Sequence, residues 1–155
     1  MPGMIARGPG GRLTSGKRPA NPFHEKLAAA RAARSPMSHL PLNYLAPDFA
    51  VAPQLTPDQM RGLAASGFRS VVNNRLAQES GQPPEGELRE AATASNLAYV
   101  HLPVHPARIT IEDVARFAEL IEHLPRPIVA FCRSGSRSGL LYQAVMQGVH
   151  LRAAR

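Results

Sequence analysis

The stretch Pro127-Ile-Val-Ala-Phe131 constrains this chain more than any other, because its unbroken apolar run leads directly into Cys132-Arg-Ser-Gly-Ser-Arg137-Ser138. A short apolar run bounded by turn residues suits a central parallel strand buried on both faces. Helix patterns stand on either side of it. Thr110-Ile-Glu-Asp113 places acids in a first turn, Val114, Phe117, Leu120, Ile121 and Leu124 recur at spacings of three and four, and Pro125 stops the helix. After the cysteine loop, Leu140, Leu141, Ala144 and Val145 predict a last helix.

The same alternation extends upstream. Phe49-Ala-Val-Ala52 reads as a strand, and Thr56-Pro-Asp-Gln59 as a capping box with Pro57 where its missing N–H costs nothing. That helix carries Met60, Leu63 and Ala64 and stops at Gly67. Phe68–Asn73 predicts the next strand, Pro84 with Glu85 and Glu87 opens a helix bearing Leu88, Ala91 and Ala92, and Leu97–Leu102 is a third strand. The order β-α-β-α-β-α-β-loop-α predicts an α/β domain over residues 39–150, with a mostly parallel sheet of about four strands flanked by helices. Ligands in such sheets bind beyond the carboxyl ends of the strands.

Charge is distributed unevenly. The chain of 155 residues has a net charge of +7, which taken alone suggests nucleic acid or an acidic surface. Yet residues 1–38 hold seven basic side chains against the single acid Glu25, leaving eleven basic and ten acidic residues in the remainder. Rich in Gly and Pro and poor in residues to bury, 1–38 is expected to be a disordered basic arm. A nucleic-acid or membrane-surface tail and a targeting peptide are alternatives, but aromatic interleaving and a secretory apolar core are lacking. A solvated extension is preferred, with Met37 a candidate start. Residues 151–155 are expected to be a basic tail, and its abrupt end suggests truncation and an apolar face left partly uncovered. No apolar stretch approaches the roughly 18 residues of a membrane span.

With one cysteine, a disulfide framework and an all-cysteine zinc site are excluded. Neither a metal cluster nor a dinucleotide fingerprint is present, so no cofactor is expected. Cys132 sits between a predicted strand end and a helix N-terminus, where free amides and the helix dipole favour thiolate over thiol. Arg133, Ser134, Gly135 and Ser136 would form an anion-binding loop, Gly135 letting successive amides turn inward, and Arg137 would supply a planar fork for an oxyanion. Ser138 could donate a hydrogen bond to the sulfur. Cys132 and Arg137 are therefore the candidate catalytic pair.

From about His39 to Leu141 the chain resembles the beta-lactamase hydrolase-like protein, phosphatase-like domain family. The resemblance is carried by Val51-Ala-Pro-Gln54-Leu-Thr-Pro-Asp58, Gly67–Asn73 with Asn74-Arg75, Gln82-Pro83, His101-Leu-Pro103-Val104, Ile109-Thr110, Glu112-Asp113-Val114 and the Cys132 loop. It implies a bacterial enzyme of dual-specificity-phosphatase-like fold, expected in the cytoplasm, with Asn73 and Arg75 near the site mouth. Leu76-Ala-Gln-Glu79 departs from the acidic turn expected of relatives, which weakens the case for Glu79.

Relatives resemble either phosphatases or sulfurtransferases. Four residues separate Cys132 from Arg137, one fewer than in cysteine phosphatases, and Val104-His-Pro-Ala-Arg-Ile109 offers no Asp as general acid, leaving His105 as the candidate. Sulfane-sulfur transfer has less need of such an acid, since thiolate leaving groups are already stable. The sequence reading therefore favours a sulfurtransferase using small sulfur donors and thiols through a Cys132 persulfide. A phosphatase acting on a phosphorylated substrate is the alternative, and a binding or regulatory module that has lost activity is the third; separately, a partner domain or protein is a candidate to cover the apolar face left open at the C-terminus.

Overall fold

The computed structural model describes residues 40–153. The expected arm therefore lies outside the described residues. The elements run β1 (Asn43–Ala46), β2 (Phe49–Ala52), α1 (Pro57–Ala65), β3 (Ser70–Asn73), α2 (Glu85–Ala94), β4 (Ala98–His101), α3 (Ile111–His123), β5 (Ile128–Phe131), α4 (Ser136–Met146) and α5 (Val149–Ala153). The sheet has five strands in the order β1-β2-β5-β3-β4. β1 is antiparallel to β2, with a register irregularity between Tyr44 and Ala46, and the other three pairs are parallel.

The α/β prediction holds, with two additions. β1 is an edge strand whose Asn43 and Tyr44 are exposed, so it lacks the apolar density that marks the inner strands. At the other end, residues 151–153, expected to be tail, are helical. Of the expected apolar stripe on α4, Leu141 is fully buried but Leu140 is 56% exposed.

Start and stop signals act as chemistry requires. Thr56 with Gln59, and Thr110 with Asp113, each form both arms of a capping box, satisfying donors that a helix start leaves free. Gly67 follows the α1 cap at φ +100°, a left-handed conformation that glycine adopts without Cβ strain.

β5 lies at the sheet centre, paired with β2 and β3, and all four of its residues are buried. Its period of two divides the core. Val129 and Phe131 pack with Met60, Leu63 and Leu88 on one side, while Ile128 and Ala130 pack with Val114, Phe117 and Leu141 on the other. Phe49 joins the second layer, edge-on to Phe117 and stacked on Tyr142. Each Val, Ile, Leu, Phe or Met side chain among these contributes about 1.5–3 kcal/mol when fully buried. The pairing also places Ala52, Phe131 and Asn73 level with one another, so the three central strands end together and the loops beyond them converge.

Candidate active site

Cys132 follows the last residue of β5 and is 1% exposed. Its amide donates to the Ala52 carbonyl at 3.3 Å, and the Gln54 amide donates to the Arg133 carbonyl at 3.2 Å, stitching the start of the loop to the end of β2. The loop then turns back on the sulfur, with the Gly135 amide donating to Cys132 Sγ at 3.0 Å. Gly135 has φ +95°, and a Cβ there would meet the Ala52 backbone at 3.4 Å, so both conformation and space call for glycine. α4 begins at the next residue, and its first-turn amides have no intrahelical acceptor.

Arg137 lies in that first turn but is 7% exposed. Nη1 donates to the carbonyls of Asn74 and Val104, both at 3.1 Å. Glu79 takes Nη1 on Oε2 at 2.8 Å and Nη2 on Oε1 at 3.3 Å. The Nη1–Nη2 edge is thereby occupied. Nε is buried without a hydrogen-bond partner, which leaves the Nε–Nη2 edge as the fork for an anion.

Glu79 also binds Arg75, whose Nε donates to Oε1 at 2.9 Å, and it accepts the Leu76 amide on Oε2 at 2.7 Å. Burial alone would push its carboxyl up, but the hydrogen bonds from Arg137, the Leu76 amide and Arg75 outweigh this and hold it down at about 2. Two buried guanidinium groups thus share one carboxylate. Arg75 is 2% exposed and also donates from Nη1 to Gln54 Oε1 and from Nη2 to the Ser80 carbonyl.

A cavity of about 490 Å³ opens over this arrangement, lined by Arg75, Glu79, Cys132, Arg133 and Arg137 together with Ser134 and Ser136. The structure thus gathers Cys132, Arg137, Arg133, Ser134, Ser136 and Arg75 from the predicted set, with buried Gly135 forming the bend beneath.

Three expectations need correction. Ser138 does not donate to the sulfur: its hydroxyl donates to Asn74 Oδ1 at 2.7 Å, and Asn74 is fixed in turn through Nδ2 on the Leu102 carbonyl. Asn73 lies behind the site rather than at its mouth, donating to the Tyr99 hydroxyl and accepting the Arg75 amide. His105 is exposed, accepts the Ala107 amide at its own turn and does not line the cavity. Conversely, Glu79, Asn74 and Gln54 take part although the sequence reading discounted the first and did not single out the others. The only hint for Glu79 was its spacing of four from Arg75.

Among the described residues, no group of three or more His, Cys, Asp or Glu could hold a metal ion, and no helix is long and apolar enough to cross a membrane.

Comparison with known proteins identifies the fold and family. The family described as beta-lactamase hydrolase-like protein, phosphatase-like domain, matches residues 41–149. A beta-lactamase hydrolase-like protein of Agrobacterium fabrum is 35% identical over 81 residues, which are 52% of this chain and 19% of that protein. With 22% for a Xylella fastidiosa relative, the match spans about a fifth of these curated relatives' length. Among solved structures, a Neisseria meningitidis protein described as a "putative phosphatase" is 27% identical with a TM-score of 0.62, over 67% of this chain and 75% of its own. The core catalytic domain of a PP-IP phosphatase from S. cerevisiae shares the fold at 13% identity, with a TM-score of 0.56 over 68% of this chain and 64% of its own. The architecture is that of dual-specificity-like phosphatases. The sulfurtransferase reading, drawn from loop length and a missing Asp, finds no support among these relatives.

Proposed function

We propose that this chain, which belongs to the beta-lactamase hydrolase-like protein, phosphatase-like domain family, is a cysteine-dependent phosphatase acting through a phosphocysteine on Cys132. The observation that carries this reading is Arg137: a buried guanidinium beside the Cys132 loop, with one edge locked on Glu79 and Nε left without a partner. A tetrahedral oxyanion satisfies that edge, and loop amides supply further donors to the equatorial oxygens.

In the proposed reaction the Cys132 thiolate attacks phosphorus, an S–P bond forms, and the P–O bond to the leaving group breaks with its electron pair on oxygen. Water then attacks phosphorus, the S–P bond breaks and the thiolate returns. Arg137 and the loop hold the phosphoryl oxygens through both steps, and Arg133 adds positive field at the rim. Glu79 acts as a positioning residue for Arg137.

The test is hydrolysis of 4-nitrophenyl phosphate, with thiocyanate formation from thiosulfate and cyanide measured in parallel. Phosphate release that falls at least about 10⁴-fold in Cys132→Ser, without thiocyanate formation, is the expected result. Cys132-dependent thiocyanate without phosphate release would restore sulfur transfer, and a protein inert in both assays would be a binding module.

A further inference from the structure

The lining of the cavity constrains which phosphate it takes. Three arginines, Arg75, Arg133 and Arg137, face it against one carboxylate. That carboxylate cannot serve as a proton donor. Each oxygen of Glu79 already accepts two hydrogen bonds, Oε1 from Arg75 Nε and Arg137 Nη2, Oε2 from the Leu76 amide and Arg137 Nη1. Its carboxyl, held at about 2, carries no proton near neutral pH. Asp113 is committed to capping α3 and to Arg116, and His105 lies outside the cavity lining. Among the described residues lining the cavity there is thus positive charge in excess and no acid to protonate an alkoxide. General-acid catalysis is ordinarily worth about 10²–10⁴-fold, so a strongly basic leaving group would depart poorly here.

Arg75 also lines the cavity. Its three hydrogen bonds use three of five guanidinium N–H groups, so two remain for an anion in the cavity that it lines. With Arg137 engaging the phosphoryl group under attack, Arg75 and Arg133 are surplus to a simple monoester.

Building on the phosphatase reading above, we propose that the substrate carries its terminal phosphate on a second phosphoryl group, and that the site cleaves this phosphoanhydride. Cys132 Sγ bonds to the terminal phosphorus, the bridging P–O bond breaks, and the electron pair leaves on the remaining phosphate, an anion stable without protonation. Water releases the bound phosphate from sulfur, its spare proton going to bulk solvent. Arg75 receives the leaving phosphate.

The experiment measures phosphate release from methyl diphosphate, glycerol 3-phosphate and 4-nitrophenyl phosphate by the same protein. Methyl diphosphate should be cleaved with kcat/KM at least about 100-fold above that for glycerol 3-phosphate. Arg75→Lys, which keeps the charge but loses the fork, should raise KM for methyl diphosphate by a larger factor than KM for 4-nitrophenyl phosphate. Release from the aryl ester and glycerol 3-phosphate alike, or from the aryl ester alone, would overturn this inference while leaving the phosphatase standing. Equal factors in Arg75→Lys would remove Arg75 from leaving-group recognition. No release from any of the three, the aryl ester included, would be a failure of the phosphatase reading itself.

Discussion

Along β5, Ile128 to Phe131 are fully buried among apolar side chains, whereas Cys132, one residue further, is just as buried but faces arginines, a carboxylate and backbone amides. Asn73, Asn74, Arg75, Arg137 and Ser138, all buried, gather at this end of the sheet. Ser70 is the exception, its hydroxyl donating to the Pro125 carbonyl at 2.6 Å. The body of the sheet gains stability by removing apolar area from water. Its end must instead satisfy every buried polar group, because each one left unmade costs about 1–3 kcal/mol. Arg137 Nε remains unsatisfied there, and the proposed phosphoryl group is the partner that would satisfy it.

The contrast can be broken from either side. The largest effect expected at the site, short of removing Cys132, is for Arg137→Lys. Losing the planar fork should lower kcat/KM for an aryl phosphate by about 10²–10³-fold, with the melting temperature measured alongside to check folding. In the body of the sheet, Phe117→Ala should cost about 3–5 kcal/mol in urea unfolding while leaving turnover per folded molecule unchanged. A loss of turnover as large as that in Arg137→Lys would mean the two regions are not separable.

Glu79→Gln sharpens the comparison through pH. The folded carboxyl titrates at about 2, below its ordinary 4.5, so its ionised form stabilises the fold. That contribution is complete above about pH 4.5 and is lost as pH falls through about 2. The stability gap between the wild type and Glu79→Gln should therefore be full at neutral pH and close near pH 2. Activity should show no acid limb from Glu79 between pH 4 and 8, where it stays ionised. The smallest effect belongs to Arg133→Ala. As an exposed rim charge it should change KM by about threefold or less, and added salt should shrink the difference.

What could be read in the sequence follows the same division. The inner strands, helix caps and cysteine loop each declare themselves within a dozen residues, through apolar runs, cap chemistry and the Cys132–Arg137 spacing. Glu79 does not, because its meaning depends on Arg137, 58 positions away, and it sits in a loop without periodicity. Ser138 and Asn73 carried the right chemistry in the right segments, but their partners, Asn74 and Tyr99, come from tertiary closure. His105 is a titratable side chain in the right loop, yet it lies outside the cavity. β1 escaped because an exposed edge strand of four residues has no pattern of its own.

Turnover through a phosphocysteine requires that Cys132 itself carry the phosphoryl group. Mixing the protein with 4-nitrophenyl phosphate, quenching in alkaline denaturant within the first turnovers and measuring intact and peptide masses reads out the S–P adduct. A mass increase of one phosphoryl group confined to the Cys132 peptide and absent in Cys132→Ser is the expected result. Rapid turnover with Cys132 unmodified at every quench time, or turnover retained in Cys132→Ser, would contradict it.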